Sequence, residues 1–317
     1  MRVELTHDPR AFLDAAGDHL ALDPVLSTVV ATVAERAVGS ASPVPEEWWW
    51  AVVRDETEAV AGVAMRTAPF EPRPAYALPM PDEGARLLAR ALHERGEDLT
   101  QVNGALPAAR VVLDELARLR GGEVVVRQHS RLFELVEVVA PRPVPGRLRA
   151  ARVDEIDLVE EWSSAFHGDA DEQAGRPRGS EPGGTVSRAD CLERIEDGRT
   201  WLWEDDQGRV VHLSGVNPPA YGVARIGPVY TPPAERGRGW ASAAVAVLSQ
   251  RVLDSGARPC LFTDQANPTS NAIYQALGYR AVVDTVSLDL VPAPAPAKSS
   301  PGTDEVGPAP RSDRGNP

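Results

Sequence analysis

Between residues 148 and 290 the pattern of apolar and polar positions changes period in an ordered way. Short alternating or continuous apolar runs mark strands, and apolar residues spaced by three and four mark helices. Leu148–Arg152 reads as a short strand, and in Asp154–Phe166 the residues Ile156, Leu158, Val159 and Trp162 form one helical face. His167–Thr185 is polar and glycine-rich, which predicts a loop, and Arg188–Glu196 is a second helix. Thr200–Glu204, Arg209–Val216 and Val223–Tyr230 read as strands, with Asp205–Gly208 (DDQG) as a hairpin turn between the first two. A helix follows Gly239 to about Ser255 and stops at Gly256. A buried strand (CLFT), a helix from about Pro268 to Leu277 and closing strands to Leu290 complete the run. Hairpins mixed with crossovers predict an α/β fold with a mixed (α+β) sheet and helices on its faces.

The first part of the chain is a blurred copy of this order. Phe12–Ala37 is largely helical and breaks near Pro24; WWWAVVRD and AVAGVAMRT form a hairpin; RPAYALPM is strand-like. A helix over Glu83–Arg95, the strand LTQVNGAL, a helix over Ala108–Leu119 and a closing run EVVVRQHSRLFELVEVV follow. The proline-rich stretch VAPRPVPGR marks a linker, so the expected units are 1–140, a linker 141–147, and 148–290. Residues 291–317, rich in Pro, Ala, Ser and Gly and without apolar periodicity, predict a disordered tail.

Composition narrows the function. Of 317 residues, 43% are hydrophobic and the net charge is −13, a surface that repels nucleic acid and anionic membranes and favours a cationic acceptor. Cys191 and Cys260 form no zinc clip or disulfide framework, no run is long enough to span a membrane, and the N-terminus lacks an apolar signal core, so a cytoplasmic protein without a metal is expected.

Two segments carry chemistry. In ERGRGWASAAVAVL, Gly237 and Gly239 alternate with Arg236 and Arg238 at the mouth of a helix. The first amides of a helix lack internal partners and attract anions, and glycine allows close approach. With Trp240, Ala241 and Ser242 in the first turn, the segment reads as a diphosphate cradle; a solvated turn is the plain alternative. In TDQANPTSNAIYQALGY, Asn267 is a suitable N-cap, and Asn267, Ser270, Asn271 and Tyr274 share one helical face.

Together, Arg236, Gly239 and Ala241 before one helix and Asn267 and Tyr274 on the next resemble the GNAT superfamily of N-acetyltransferases, over about residues 147–290. The blurred repeat resembles tandem GNAT proteins with a degenerate first half. The resemblance implies acetyl-CoA as co-substrate and an amine acceptor, either a small molecule or a peptide or protein. It implies that Val229, Tyr230 and Thr231 offer backbone groups to the pantetheine arm, that the amides of Gly237–Ser242 hold the pyrophosphate, that Asn267 and Ser270 flank the arm, and that Tyr274 is the general acid. No base is assigned: Glu160, Glu161, Glu204, His212 and Asp264 are candidates, each with a structural alternative. In the first half, Asp82 and Glu83 replace the cradle arginines and only Gly84 remains, so that half is not expected to bind CoA. Trp48, Trp49 and Trp50 read as core and hairpin packing. Asp169, Asp171 and Glu172 read as a solvated loop, with the acceptor entrance as the functional alternative. A non-catalytic acyl-CoA sensor and a longer-chain amino-acid N-acyltransferase remain competing readings.

Overall fold

The computed structural model describes residues 1–40, 42–180 and 186–292. The first half comprises β1 (Arg2–Thr6), α1 (Pro9–Leu22), α2 (Thr28–Gly39), β2 (Trp49–Arg54), β3 (Val60–Arg66), β4 (Ala75–Ala77), α3 (Asp82–Glu94), β5 (Gln101–Ala105), α4 (Ala108–Arg120) and β6 (Glu123–Glu134). The second comprises β7 (Arg147–Ala150), α5 (Ile156–Gln173), α6 (Arg188–Glu196), β8 (Thr200–Glu204), β9 (Val210–Val216), β10 (Val223–Tyr230), α7 (Trp240–Asp254), β11 (Arg258–Asp264), α8 (Pro268–Ala276) and β12 (Arg280–Val291). The order of strands and α-helices is the same in both halves, so the blurred repeat is a structural one.

Local chemistry sets many boundaries. Asp8 caps α1 by accepting from the Arg10 amide (2.8 Å), and Pro9 occupies the first position. The predicted turn at Asp205–Gly208 forms because the Asp205 carboxylate accepts from the amides of Gln207 (3.0 Å) and Arg209 (2.9 Å). α5 departs from expectation, running on through His167–Gln173 where a loop was predicted. Trp162, Phe166 and Ala170 continue the apolar face at four-residue spacing, and Asp169 and Asp171 are buried against arginines rather than solvated. The glycine-rich residues 181–185 and the tail from 293 lie outside the described residues; Val291, placed in the tail by sequence, ends β12.

Among the described residues, the strands join one twelve-stranded sheet in the order β1-β2-β3-β4-β5-β12-β6-β11-β10-β9-β8-β7. The halves exchange their last strands. β12 pairs with β5 from Thr285↔Ala105 to Asp289↔Gln101, while β6 pairs with β11 from Cys260↔Glu134 to Asp264↔Ser130. β6 and β12 also pair with each other along their length. Each half therefore completes the other's core. Val286, Leu288 and Leu290 of β12 pack with α3 and α4, and Phe133 of β6 packs with Leu261, Tyr274 and Leu277.

Strand alternation splits the tryptophan run. Trp49 enters the core beneath α3 and α4, Trp50 the core beneath α1 and α2, and Trp48 lines a cavity between the halves. Among the described residues, no helix is long and apolar enough to cross a membrane.

Candidate active site

β10 and β11 run parallel but pair only from Val223↔Arg258 to Arg225↔Cys260. Beyond that point the register of β10 against β9 slips between Ile226 and Val229, a bulge that bends the strand. The two strands splay, and a cavity of about 240 Å³ opens between them. Val229 and Tyr230 of β10, Thr263 of β11, Asn267 at the cap of α8, and Ser270 and Tyr274 within it line the cavity, as do Asp169 and Gln173 of α5. Of the predicted pantetheine contacts, Val229 and Tyr230 face this wedge, whereas the Thr231 carbonyl accepts from Arg236 Nε (3.0 Å).

The cradle follows directly. A 3-10 turn, Pro233–Glu235, leads to Gly237 and Gly239, whose φ angles of 77° and 88° lie in the left-handed region that favours glycine. Gly239 caps α7, and the first helical bond runs from the Ala243 amide to the Gly239 carbonyl (3.1 Å). The amides of Trp240, Ala241 and Ser242 are thus left without helical acceptors. The Trp240 ring packs in the core beside Trp203. Neither arginine is a bare anion donor. Arg238 pairs with Glu235 (2.9 Å), and Arg236 donates to Asp169 (2.8 Å). The donors this turn leaves without partners are therefore backbone amides.

Asp169 organises the wedge. Its carboxylate accepts from Arg236 and from the Tyr230 hydroxyl (3.0 Å), and it pairs with Arg178. Burial, and next the bond to Asp169, push the Tyr230 hydroxyl up to about 12, so it stays protonated. Gln173, one turn further along α5, accepts from the Asn267 side-chain nitrogen (3.1 Å), while Asp169 on the same helix holds Arg236. The two motifs predicted separately are thereby joined by a helix end that was read as loop. Asn267 caps α8 through the Ser270 amide (3.1 Å), as predicted. Asn271 does not line the wedge; its side chain donates to the carbonyls of Asn267 (2.7 Å) and Asp264 (2.9 Å) and braces the turn.

Tyr274 is 6% exposed, lines the wedge, and packs edge-on against Tyr279 at 5.9 Å. Its hydroxyl has no hydrogen-bond partner among the described residues, and burial raises its pKa above the ordinary tyrosine value.

The candidate bases are mostly committed elsewhere. Glu160 binds Arg188 (2.8 Å), Glu204 binds Arg149 (2.7 Å) and Arg147 (3.1 Å), and Asp264 pairs with Arg176 (2.5 Å). Glu161 is exposed and lines neither cavity. His212, read as able to point outward, is fully buried, with both ring nitrogens 2.7 Å from the Thr231 and Ser214 hydroxyls; burial lowers it to about 3. The residue the sequence reading missed is His167. With Gln128 of β6 it lines both the wedge and a larger cavity between the halves. The continuing helical face of α5 was the signal that would have found it.

Residues 218–288 match the family described as FR47-like protein. The chain is similar in structure to a GNAT-family acetyltransferase from Colwellia psychrerythraea, at 10% identity and TM-score 0.54, covering 92% of this chain and 100% of that one. It is similar to a GCN5-related N-acetyltransferase from Sphaerobacter thermophilus, at 17% identity and TM-score 0.53, covering 90% and 95%. A tandem GNAT protein from the clavulanic acid biosynthesis pathway matches at 15% identity and TM-score 0.52, covering 92% and 100%. No curated protein matches the chain by sequence. At these identities the likeness is one of fold, and the fold is that of the GNAT proteins, tandem forms included.

Proposed function

We propose that this GNAT-fold chain is an acetyl-CoA-dependent N-acetyltransferase whose reaction centre is the β10–β11 wedge. The observation that carries the reading is the splayed strand pair, which leads straight into the unpartnered amides of α7. Those amides suit the diphosphate of coenzyme A, and the wedge suits its extended arm. Val229 and Tyr230 would hold the arm on one side, and Asn267 and Ser270 on the other.

Acetyl-CoA supplies the acyl group already activated as a thioester. The acceptor nitrogen forms the new C–N bond as the C–S bond breaks, and the sulfur leaves as a thiolate that takes up a proton. Tyr274, on the wall of the wedge, would donate to that sulfur. A thiol near ~8.5 against a tyrosine near ~10 makes full transfer uphill by about 2 kcal/mol. Burial raises Tyr274 further, so it acts chiefly as a hydrogen-bond donor while solvent restores the proton. His167, on the wall shared by the two cavities, is placed to take the proton the amine must lose.

The test is calorimetry with acetyl-CoA, followed by release of free thiol on adding a panel of amines. Binding with amine-dependent release supports the transferase. Binding without release leaves an acyl-CoA sensor, and no binding at millimolar acetyl-CoA overturns both.

A further inference from the structure

The larger cavity, about 1190 Å³, lies between the halves and shares His167 and Gln128 with the wedge. Its charged lining is formally balanced but unevenly committed. Arg127 Nε binds Asp289 (2.6 Å), and Gln101 donates to the same carboxylate (2.7 Å). Arg199 takes both Glu193 (3.0 Å) and Asp197 (3.0 Å). Asp190 accepts from the Ser187 hydroxyl (2.8 Å) at the start of α6. Two cations are left over. Among the described residues, neither Arg36 nor Arg194 has a carboxylate within ion-pair distance.

Arg194 is the better placed. It projects from α6 into this cavity, and its Nη2 donates to the Gly227 carbonyl (3.2 Å) on the bulge that opens the wedge. One guanidinium thus lines the larger cavity and bonds to the wall of the wedge, with most of its donors unused. Burial, followed by the charges of Arg199 and Arg36, lowers Arg194 to about 10. Nearby, Arg225 is half-buried, with its Nη1 buried and unbonded. A half-buried cation with cations beside it and no carboxylate within ion-pair distance is a state that a bound anion relaxes.

We propose that the acceptor is an amine carrying a carboxylate, and that Arg194, aided by Arg36, holds the carboxylate in this cavity while the amine faces the wedge. This rests on the transferase reading and specifies its substrate class. It runs against the overall acidity of the chain, which favours a cationic acceptor, because two arginines without carboxylate partners at the cavity wall act at contact distance, whereas the surface field is screened.

The test uses the full-length protein in two arms. In the first, calorimetry without acetyl-CoA compares free α- and ω-amino acids with their primary amides and with O-phosphoethanolamine. The acids are expected to bind about tenfold or more tightly than the amides, and Arg194→Gln to remove about ten- to a hundredfold of that binding. Arg194→Lys should restore part of it, and Arg36→Gln, at an exposed position, should weaken acids alone by a smaller factor. In the second arm, thiol release should show an acid-to-amide ratio of kcat/KM that collapses toward one in Arg194→Gln. Acids and amides binding alike, or Arg194→Gln and Arg36→Gln both leaving acid binding intact, overturns the proposal, as does binding of the phosphate compound alone. Acid binding without any acetyl-CoA binding leaves the anion site standing and sinks the transferase reading instead.

Discussion

The halves repeat one order of elements, yet they treat the same strand pair in opposite ways. In the first, β4 has three residues and stays paired with β5 to its last, Ala77↔Gly104. In the second, β10 has eight residues, bulges after Ile226 and leaves β11. The helices that follow differ accordingly. α4 buries Ala108, Ala109, Val112, Leu113 and Leu116 in an apolar core, whereas α8 buries Tyr274 alone. Even the glycines serve different ends. A Cβ on Gly84 would lie 2.8 Å from Val53 Cγ1, so Gly84 lets α3 approach the sheet; Gly239 supplies a left-handed cap. Asp82 and Glu83 open α3, where a phosphate would be repelled. The first half is a filled copy of a fold whose second copy keeps a gap, and strand length with one bulge makes the difference.

The largest effect tests whether the copies are separable at all. Because β6 and β12 are exchanged, residues 1–140 and 148–317 expressed apart should each be unfolded by circular dichroism, and mixing should restore structure. A folded, monomeric 148–317 fragment would show that the exchange is dispensable. Next is the residue only α8 carries: Tyr274→Phe should lower kcat by about 10²–10⁴ while acetyl-CoA affinity by calorimetry is retained. An unchanged kcat removes the acid role.

The glycine pair sharpens the contrast further. Gly239→Val should weaken acetyl-CoA about tenfold, because a branched residue is strained in the left-handed region. Gly84→Ala should instead cost about 1–3 kcal/mol of stability with binding intact below the melting transition. Reversed readouts would mean the cradle has been assigned to the wrong half. The smallest effect lies in the first half's scaffold. Arg118 and Arg90 donate to Glu115 and hold it at about 2, below the ordinary ~4.3. The stabilisation is complete above about pH 4–5 and is lost as pH falls through 2, so Glu115→Gln should lower the melting temperature at pH 7 and converge with wild type near pH 2.

Much of this was legible along the chain because it is local. The caps at Asn267 and Pro268, the turn at Asp205–Gly208 and the helix-opening glycines depend on residues within a few positions of one another. α5 past Phe166 was not legible. Gly168, Asp169 and Asp171 argue for a loop until Arg178, Arg236 and Arg176, two of them on the same stretch and one far away, take up the charges. His212 failed for the same reason: alternation along β9 says it faces one side of the sheet, not that two hydroxyls await it there.

The sequence alone determined the repeat of elements, the cradle and tyrosine motifs, and the loss of both from the first half, since periodicity and helix-end chemistry act over one or two turns. Only the tertiary structure decided which strands exchange, where β10 leaves β11, and that Asp169, Gln173, His167 and Arg194 meet around the opening. Those outcomes depend on pairing and charge neutralisation between residues far apart in the chain, and no local pattern encodes which distant partner a strand or a carboxylate will find.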